Sequence, residues 1–158
     1  MGQRINHREK GQKAISSLLG LAAYLEKSPM EKQLLNLIDF RVSQINGCAF
    51  CLDMHSKDLR AAGETEQRLY VLDAWREAPF YTARERAALA WAEAVTECRV
   101  PDEIFEEARS IFSEQELIDL TMAVIAINSF NRINIAFRTP AGTYKPGQFV
   151  LKSVEVSS

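Results

Sequence analysis

Apolar residues recur every three or four positions along almost the whole chain, and this periodicity constrains the fold more than any other feature. Such spacing places the apolar side chains on one face of an α-helix. The alternation with period two that would indicate strands is absent before 149–156. The pattern therefore predicts an all-α protein built as a bundle of about six to seven helices.

Capping and helix-breaking residues set the predicted helix boundaries. Ser28-Pro29 ends a first helix over 7–27, and Asn46-Gly47 ends a second helix over 30–45. Thr82-Ala-Arg-Glu85 and Ser113-Glu-Gln-Glu116 are capping boxes that open later helices. The helix after Ser113 is expected to reach Phe137 and to be central, because its first half is apolar nearly all round. The remaining helices are predicted over 48–63, 65–76 and 101–110.

The length of 158 residues is that of one ordinary domain, and a change of composition divides it unequally. Residues 1–138 are predicted to form the helical domain, and residues 139–158 a C-terminal tail or arm. Four residues in this last part oppose helix, namely Pro140, Gly142, Pro146 and Gly147. The segment 149–156 is either a short strand, an arm that packs on a partner, or a loose tail.

The charge pattern argues against nucleic acid as a partner. The chain has 21 acidic and 19 basic residues, and no basic cluster that would neutralise phosphates. Residues 1–12 are polar, unlike a secretory signal. The longest apolar stretch, 117–127, contains Asp119 and is too short to span a bilayer. We therefore expect no membrane association and a cytoplasmic location.

The sequence Cys48-Ala-Phe-Cys51, followed by His55, is the candidate reactive centre. The spacing places all three side chains on one face of the helix that starts near Cys48. Free backbone N–H groups and the helix dipole favour a thiolate at Cys48, in the first turn. His55 lies one turn after Cys51 and could accept its proton or hold its thiolate as an ion pair. The histidine favours Cys51 as the attacking thiolate, whereas the helix dipole favours Cys48.

Metal binding is the main alternative chemistry for these cysteines. Cys48, Cys51, His55 and Cys98 can be written as a Cys₃His zinc set. Cys48 and His55 are separated by about 10 Å along a helix, however, whereas the ligand atoms of one zinc lie within roughly 4 Å of each other. We therefore predict no metal and no cofactor.

Four other residues are expected to be structural. Cys98 is expected to be a small buried apolar side chain, and His7 a solvated surface residue. Trp75 and Trp91, which lie among apolar neighbours at helical positions, are expected in the core.

The stretch from Leu37 to Asp58 resembles the AhpD-like alkylhydroperoxidases of the carboxymuconolactone decarboxylase superfamily. The motif that carries the resemblance is Ser-Gln-Ile-Asn-Gly-Cys-x-x-Cys-x-Asp-Met-His, and the similarity continues through 88–96 and 131–144. The resemblance implies an all-helical fold, a homo-oligomer (often a trimer or hexamer) and a CxxC centre that reduces peroxides. The decarboxylases of the superfamily lack the CxxC pair.

The resemblance also implies roles for individual residues. Cys51 corresponds to the cysteine that attacks peroxide, Cys48 to the resolving cysteine, and His55 to the histidine of a proton relay. The family's relay glutamate, twelve residues before the first cysteine, is replaced by Asn36, which cannot carry a proton near neutral pH. Asp39 and Glu93 are the candidate substitutes. A histidine found within the CxxC of the founding enzyme is replaced by Phe50.

These residues favour a peroxidase-like thiol oxidoreductase. The expected substrate is a small hydroperoxide, and the resemblance implies a dithiol reductant, either a dihydrolipoyl group or a thioredoxin-like protein. Two alternatives remain open at this point. One is a non-peroxidatic disulfide reductase or redox sensor, and the other is a structural oligomer with a vestigial cysteine pair.

Overall fold

Amphipathic segments separated by capping residues form eight α-helices in a computed structural model that describes residues 2–149. The helices are α1 (His7–Lys10), α2 (Gln12–Glu26), α3 (Lys32–Asn46), α4 (Ala49–Ala61), α5 (Glu66–Tyr70), α6 (Ala83–Thr96), α7 (Asp102–Ile111) and α8 (Glu114–Phe137). A short 3₁₀ helix, Leu72–Ala74, follows α5. The described residues contain no strand, so the predicted all-α class is confirmed.

The predicted first helix is wrong in one respect, because it divides at Gly11 into α1 and α2. The Gly11 N–H donates to the His7 carbonyl oxygen at 2.9 Å. A Cβ atom at position 11 would lie only 2.8 Å from that oxygen, so the close turn depends on glycine.

The predicted helix over 65–76 is also shorter than expected. It ends at Tyr70 and gives way to the 3₁₀ turn. The chain after this turn is held by Arg86 on α6, whose guanidinium donates to the carbonyl oxygens of Trp75, Arg76 and Ala78.

Both predicted capping boxes are confirmed. Thr82 opens α6 with Glu85 as its partner, and Ser113 opens α8 with Glu116. Each pair satisfies backbone N–H groups at the first turn of its helix.

α8 is the central helix of the bundle and packs against α2, α3 and α6. Its buried side chains join those of α3 and α6 in one core cluster, which contains Trp91, and Trp75 lies in a second cluster beside it. Both tryptophans are therefore core residues, as predicted. Within residues 2–149, α8 is the one helix whose length and composition would allow it to cross a membrane, a property that central helices often share.

The segment that follows α8 contains no helix as far as residue 149 and runs along α4. Asp53 accepts a hydrogen bond from the Gly142 N–H at 2.9 Å, and Lys57 donates to the Tyr144 carbonyl oxygen at 3.1 Å. The Tyr144 hydroxyl donates to Asp58 at 2.8 Å. The predicted strand or arm over 149–156 lies, apart from its first residue, outside the described residues.

Candidate active site

The turn between α3 and α4 places the two cysteines. Gly47 ends α3 in the left-handed conformation with φ +66°, and the Cys48 N–H donates to the Ser43 carbonyl oxygen at 3.1 Å. Cys48 is then the N-cap of α4, and its sulfur accepts a hydrogen bond from the Cys51 N–H at 3.4 Å. The CxxC sequence therefore starts its helix as predicted, with Cys48 at the cap.

Two asparagines of α8 lie beneath this turn, and sequence reasoning did not assign them a role. Asn131 is fully buried and donates to the Ser43 hydroxyl at 3.0 Å. Asn134 donates from Nδ2 to the Cys51 sulfur at 3.5 Å. A recurrence of asparagine along one face of an otherwise apolar helix is the signal that could have identified them.

The two thiols differ in acidity because of their hydrogen bonds. Hydrogen bonds from the Cys51 thiol and from backbone N–H groups lower the pKa of Cys48 to about 7. The same interaction with Cys48, together with burial, raises the pKa of Cys51 above its ordinary value. Cys48 is thus the more acidic thiol, which agrees with the helix-dipole argument rather than with the argument from the histidine.

A cavity of about 600 Å³ lies between the two N-terminal helices and the core, and Cys51 is part of its wall. Both cysteines are only 1% exposed, and Cys48 is not among the residues that line the cavity. The more acidic sulfur is therefore enclosed, and the less acidic one faces the space that a substrate would occupy. The polar lining includes Asn36, Asp39, His55 and Asn134, and the rest is mainly aliphatic and aromatic.

His55 and Asp39 form the titratable pair of the cavity. The Nδ1 atom of His55 lies 3.9 Å from an Asp39 carboxylate oxygen, and neither ring nitrogen has a hydrogen-bond partner among residues 2–149. Burial lowers the pKa of His55 to about 4 and raises the pKa of Asp39 to about 8. Near neutral pH the imidazole is therefore uncharged and the carboxyl protonated, so His55 does not hold a thiolate as an imidazolium ion pair.

The other candidate relay residues occupy different places. Asn36 lines the cavity on α3, one turn before Asp39. Glu93 lies outside the cavity lining and binds Arg41, Trp75 and Arg76. Burial alone would raise the pKa of Glu93, but hydrogen bonds from these three side chains hold it below its usual value. Of the two candidate carboxylates, the structure brings Asp39 to His55 and gives Glu93 a structural role.

The predicted exposures of His7 and Cys98 are both wrong: His7 was expected at the surface and Cys98 in the core. His7 is buried in the cavity wall, because its ring stacks on Phe137 with the ring centroids 5.8 Å apart. Arg4 fastens this segment, donating from its N–H to the Phe137 carbonyl oxygen at 3.0 Å. Cys98 is exposed rather than buried, since it follows the end of α6 at φ +55°, where the chain turns outward.

The zinc set considered from the sequence is not assembled. Cys98 is exposed, whereas Cys48 and Cys51 are buried. Within the described part of the chain, no group of three or more His, Cys, Asp or Glu residues is arranged to hold a metal ion.

Comparison with known proteins identifies relatives that cover most of the chain. The family model for the carboxymuconolactone decarboxylase family matches residues 10–94. The uncharacterized protein YdfG of Bacillus subtilis (strain 168) is 41% identical over 146 residues, which are 90% of this chain and 99% of YdfG.

Two solved structures are also similar. ATU0492 from Agrobacterium tumefaciens is a protein of unknown function provisionally assigned to antioxidant defence as an AhpD. It has a TM-score of 0.86 and 40% identity, and the match covers 90% of this chain and all of ATU0492 (100%). An uncharacterized peroxidase-related protein from Silicibacter sp. TM1040 has a TM-score of 0.75 and 25% identity. The match covers 87% of this chain and 75% of that protein.

Proposed function

The chain belongs to the carboxymuconolactone decarboxylase family as an AhpD-like member, and on that premise we propose that it is a thiol-dependent peroxidase. The reaction converts an organic hydroperoxide to an alcohol and water while Cys48 and Cys51 become a disulfide. The peroxidase-related name of a fold relative agrees with this activity.

The arrangement of the two sulfurs is the observation that carries the proposal. Cys51 lines a largely apolar cavity, and the more acidic Cys48 is the N-cap of α4 and lies outside the cavity lining. Such an arrangement suits a substrate-facing thiol that is activated by a neighbouring thiolate. A purely structural cysteine pair would need neither the cavity nor the hydrogen bond from Asn134.

In the first step, the Cys48 thiolate takes the proton of Cys51. The Cys51 sulfur then attacks the terminal peroxide oxygen, the O–O bond breaks, and Cys51 becomes a sulfenic acid. The departing alkoxide takes a proton from Asp39 through His55 and leaves as an alcohol. The separation of 3.9 Å between these two side chains exceeds a direct hydrogen bond, and we expect it to shorten when substrate fills the cavity.

In the second step, the Cys48 sulfur attacks the sulfur of the Cys51 sulfenic acid. The S–S bond forms and the S–O bond breaks, and the departing hydroxide takes the Cys48 proton to become water. Asp39 recovers its proton from solvent. An external dithiol then reduces the disulfide and is itself oxidised.

Peroxide consumption by the reduced protein tests the proposal. With cumene hydroperoxide in excess over a dithiol reductant, Cys51→Ser should lower the rate at least about 100-fold, because the attacking sulfur is lost. Cys48→Ser lacks both the base and the resolving thiol, so it should react slowly and only once per molecule, leaving an added oxygen atom on Cys51 that mass spectrometry detects. Cys98→Ser is the matched control, since it removes an exposed thiol outside the cavity, and it should keep the wild-type rate.

Turnover by Cys51→Ser at the wild-type rate would contradict the assignment of the attacking sulfur. A wild-type protein that reduces a model disulfide but leaves peroxide untouched would instead be a disulfide reductase.

A further inference from the structure

The charged groups that line the cavity do not balance at neutral pH. Lys32 forms an ion pair with Glu26. Burial lowers the pKa of His7 and of His55, so both rings are neutral, and Asp39 is protonated below pH about 8. The remaining charged side chain of the lining is Arg8, an exposed residue that brings one positive charge with no carboxylate partner among residues 2–149.

Arg8 is held in place by stacking rather than by an ion pair. Its guanidinium carbon lies 3.7 Å from the ring centroid of Phe149 and 5.1 Å from that of Phe50. Aromatic rings contact the faces of a guanidinium and leave its N–H groups, which lie in the plane, available to an acceptor. Among residues 2–149, no carboxylate forms an ion pair with Arg8.

The rest of the cavity suits an apolar molecule much larger than hydrogen peroxide. Its volume of about 600 Å³ lies in the range of sites for organic ligands. Its walls are formed largely by aliphatic side chains of α2, α3 and α8, including Ile15, Leu35 and Ile127. Beside Cys51, the Oδ1 atom of Asn134 and both ring nitrogens of His55 are buried without partners in the described residues, so this end can receive a polar group.

We propose that the cavity binds an amphipathic carboxylate, so that the substrate is the hydroperoxide of an aliphatic carboxylic acid. The carboxylate pairs with the Arg8 N–H groups, the chain occupies the apolar walls, and the hydroperoxide group reaches Cys51. The peroxide part rests on the function proposed above, whereas binding of the carboxylate is independent of any redox step.

Calorimetric binding of decanoate and of decanol, which share a chain and differ in the head group, tests the carboxylate site. Wild-type protein should bind decanoate more tightly than decanol. Arg8→Gln should lower the affinity for decanoate about tenfold, the loss typical of a charge-assisted hydrogen bond. The affinities of this variant for decanoate and for decanol should then be similar. Arg99→Gln is the matched control, because it removes the same charge from an exposed position outside the cavity lining, and it should retain the preference.

Equal affinities for decanoate and decanol in the wild-type protein would overturn the proposal. An equal loss of affinity for decanoate and for decanol in Arg8→Gln would also overturn the proposal, since Arg8 would then act by shaping the cavity. Because neither ligand is a peroxide, the binding result holds even if the protein consumes no peroxide.

Discussion

His55 is buried and Asp39 is partly buried beside it, and the pKa values of the two side chains are shifted in opposite directions. Asp39 is stabilised by burial in its protonated form, whereas His55 is stabilised in its neutral form. Between these limits both groups are uncharged, and one proton can pass between them without creating a lasting buried charge. This property suits a relay, and Asp39 on the turn after Asn36 can carry the proton that an asparagine cannot.

The raised pKa of Asp39 predicts a pH-dependent cost in stability. In the unfolded chain this carboxyl ionises near pH 4, but in the folded protein its pKa is about 8. The folded state therefore loses stability as the pH rises from about 4 to about 8. Asp39→Asn removes this loss, so the variant should match wild type near pH 4 and exceed it at pH 8, by up to about 5 kcal/mol.

Thermal unfolding followed by circular dichroism across this pH range measures the difference. Asp73→Asn serves as the control, because Asp73 is an exposed carboxyl outside the cavity lining, and it should show no comparable rise with pH. An Asp39→Asn variant that is less stable than wild type at pH 8 would indicate an ionised, paired Asp39 and contradict the neutral pair.

The turn between α3 and α4 depends on a single backbone conformation. Gly47 has φ +66°, whereas Gly20 is in the regular interior of α2, and an added Cβ atom would meet nothing within 4 Å at either position. Gly47→Ala should therefore destabilise the protein by about 1–2 kcal/mol, the cost of a left-handed conformation for alanine. Gly20→Ala should stabilise it by about 0.5–1 kcal/mol, since alanine favours helix.

Denaturant unfolding gives the free energy of unfolding of both variants. It compares the same substitution, glycine to alanine, at a left-handed position and at a right-handed helical position. A stability change of the same sign in both would mean that the turn does not require the left-handed conformation. Cys48 follows Gly47 directly, so Gly47→Ala should also slow the reaction of the cysteine pair.

The elements that could be predicted from the sequence are those specified by local chemistry. The capping boxes at Thr82 and Ser113, and the helix start at Cys48, depend on residues within one turn of each other. The cavity could not be predicted, because its walls come from α2, α3, α4 and α8, which are brought together only by tertiary packing. The burial of His7 likewise depends on Phe137, at the other end of the described chain.

At the scale of the whole molecule, the outward face of α8 carries an exposed apolar stripe. Ile118 is 56% exposed and Ile125 is 44% exposed, and their separation of seven residues places them on the same side of the helix. Such a stripe along a central helix is typical of an interface between subunits. The homo-oligomer predicted from the family resemblance, a trimer or hexamer, therefore has a candidate surface.

We expect Ile125→Asp to dissociate the predicted oligomer, because a carboxylate in this stripe would be buried without a partner at the interface. Light scattering coupled to size-exclusion chromatography would report the fall in mass. Val100→Asp, at another exposed apolar position in the loop before α7, is the matched control and should keep the wild-type mass. An unchanged mass in Ile125→Asp would place the interface elsewhere.

The enclosure of the two sulfurs also restricts what can regenerate the protein after each cycle. A globular redox protein would meet only the exterior of the bundle, while the sulfur atoms lie beneath it with about 1% of each cysteine exposed. For the proposed cycle, the electron donor would have to be slender enough to enter the cavity and reach Cys51. A lipoyl group on a flexible tether satisfies this requirement better than a thioredoxin-like surface does. Oxidant and donor would then occupy the same cavity in turn, so that an excess of either would obstruct the other.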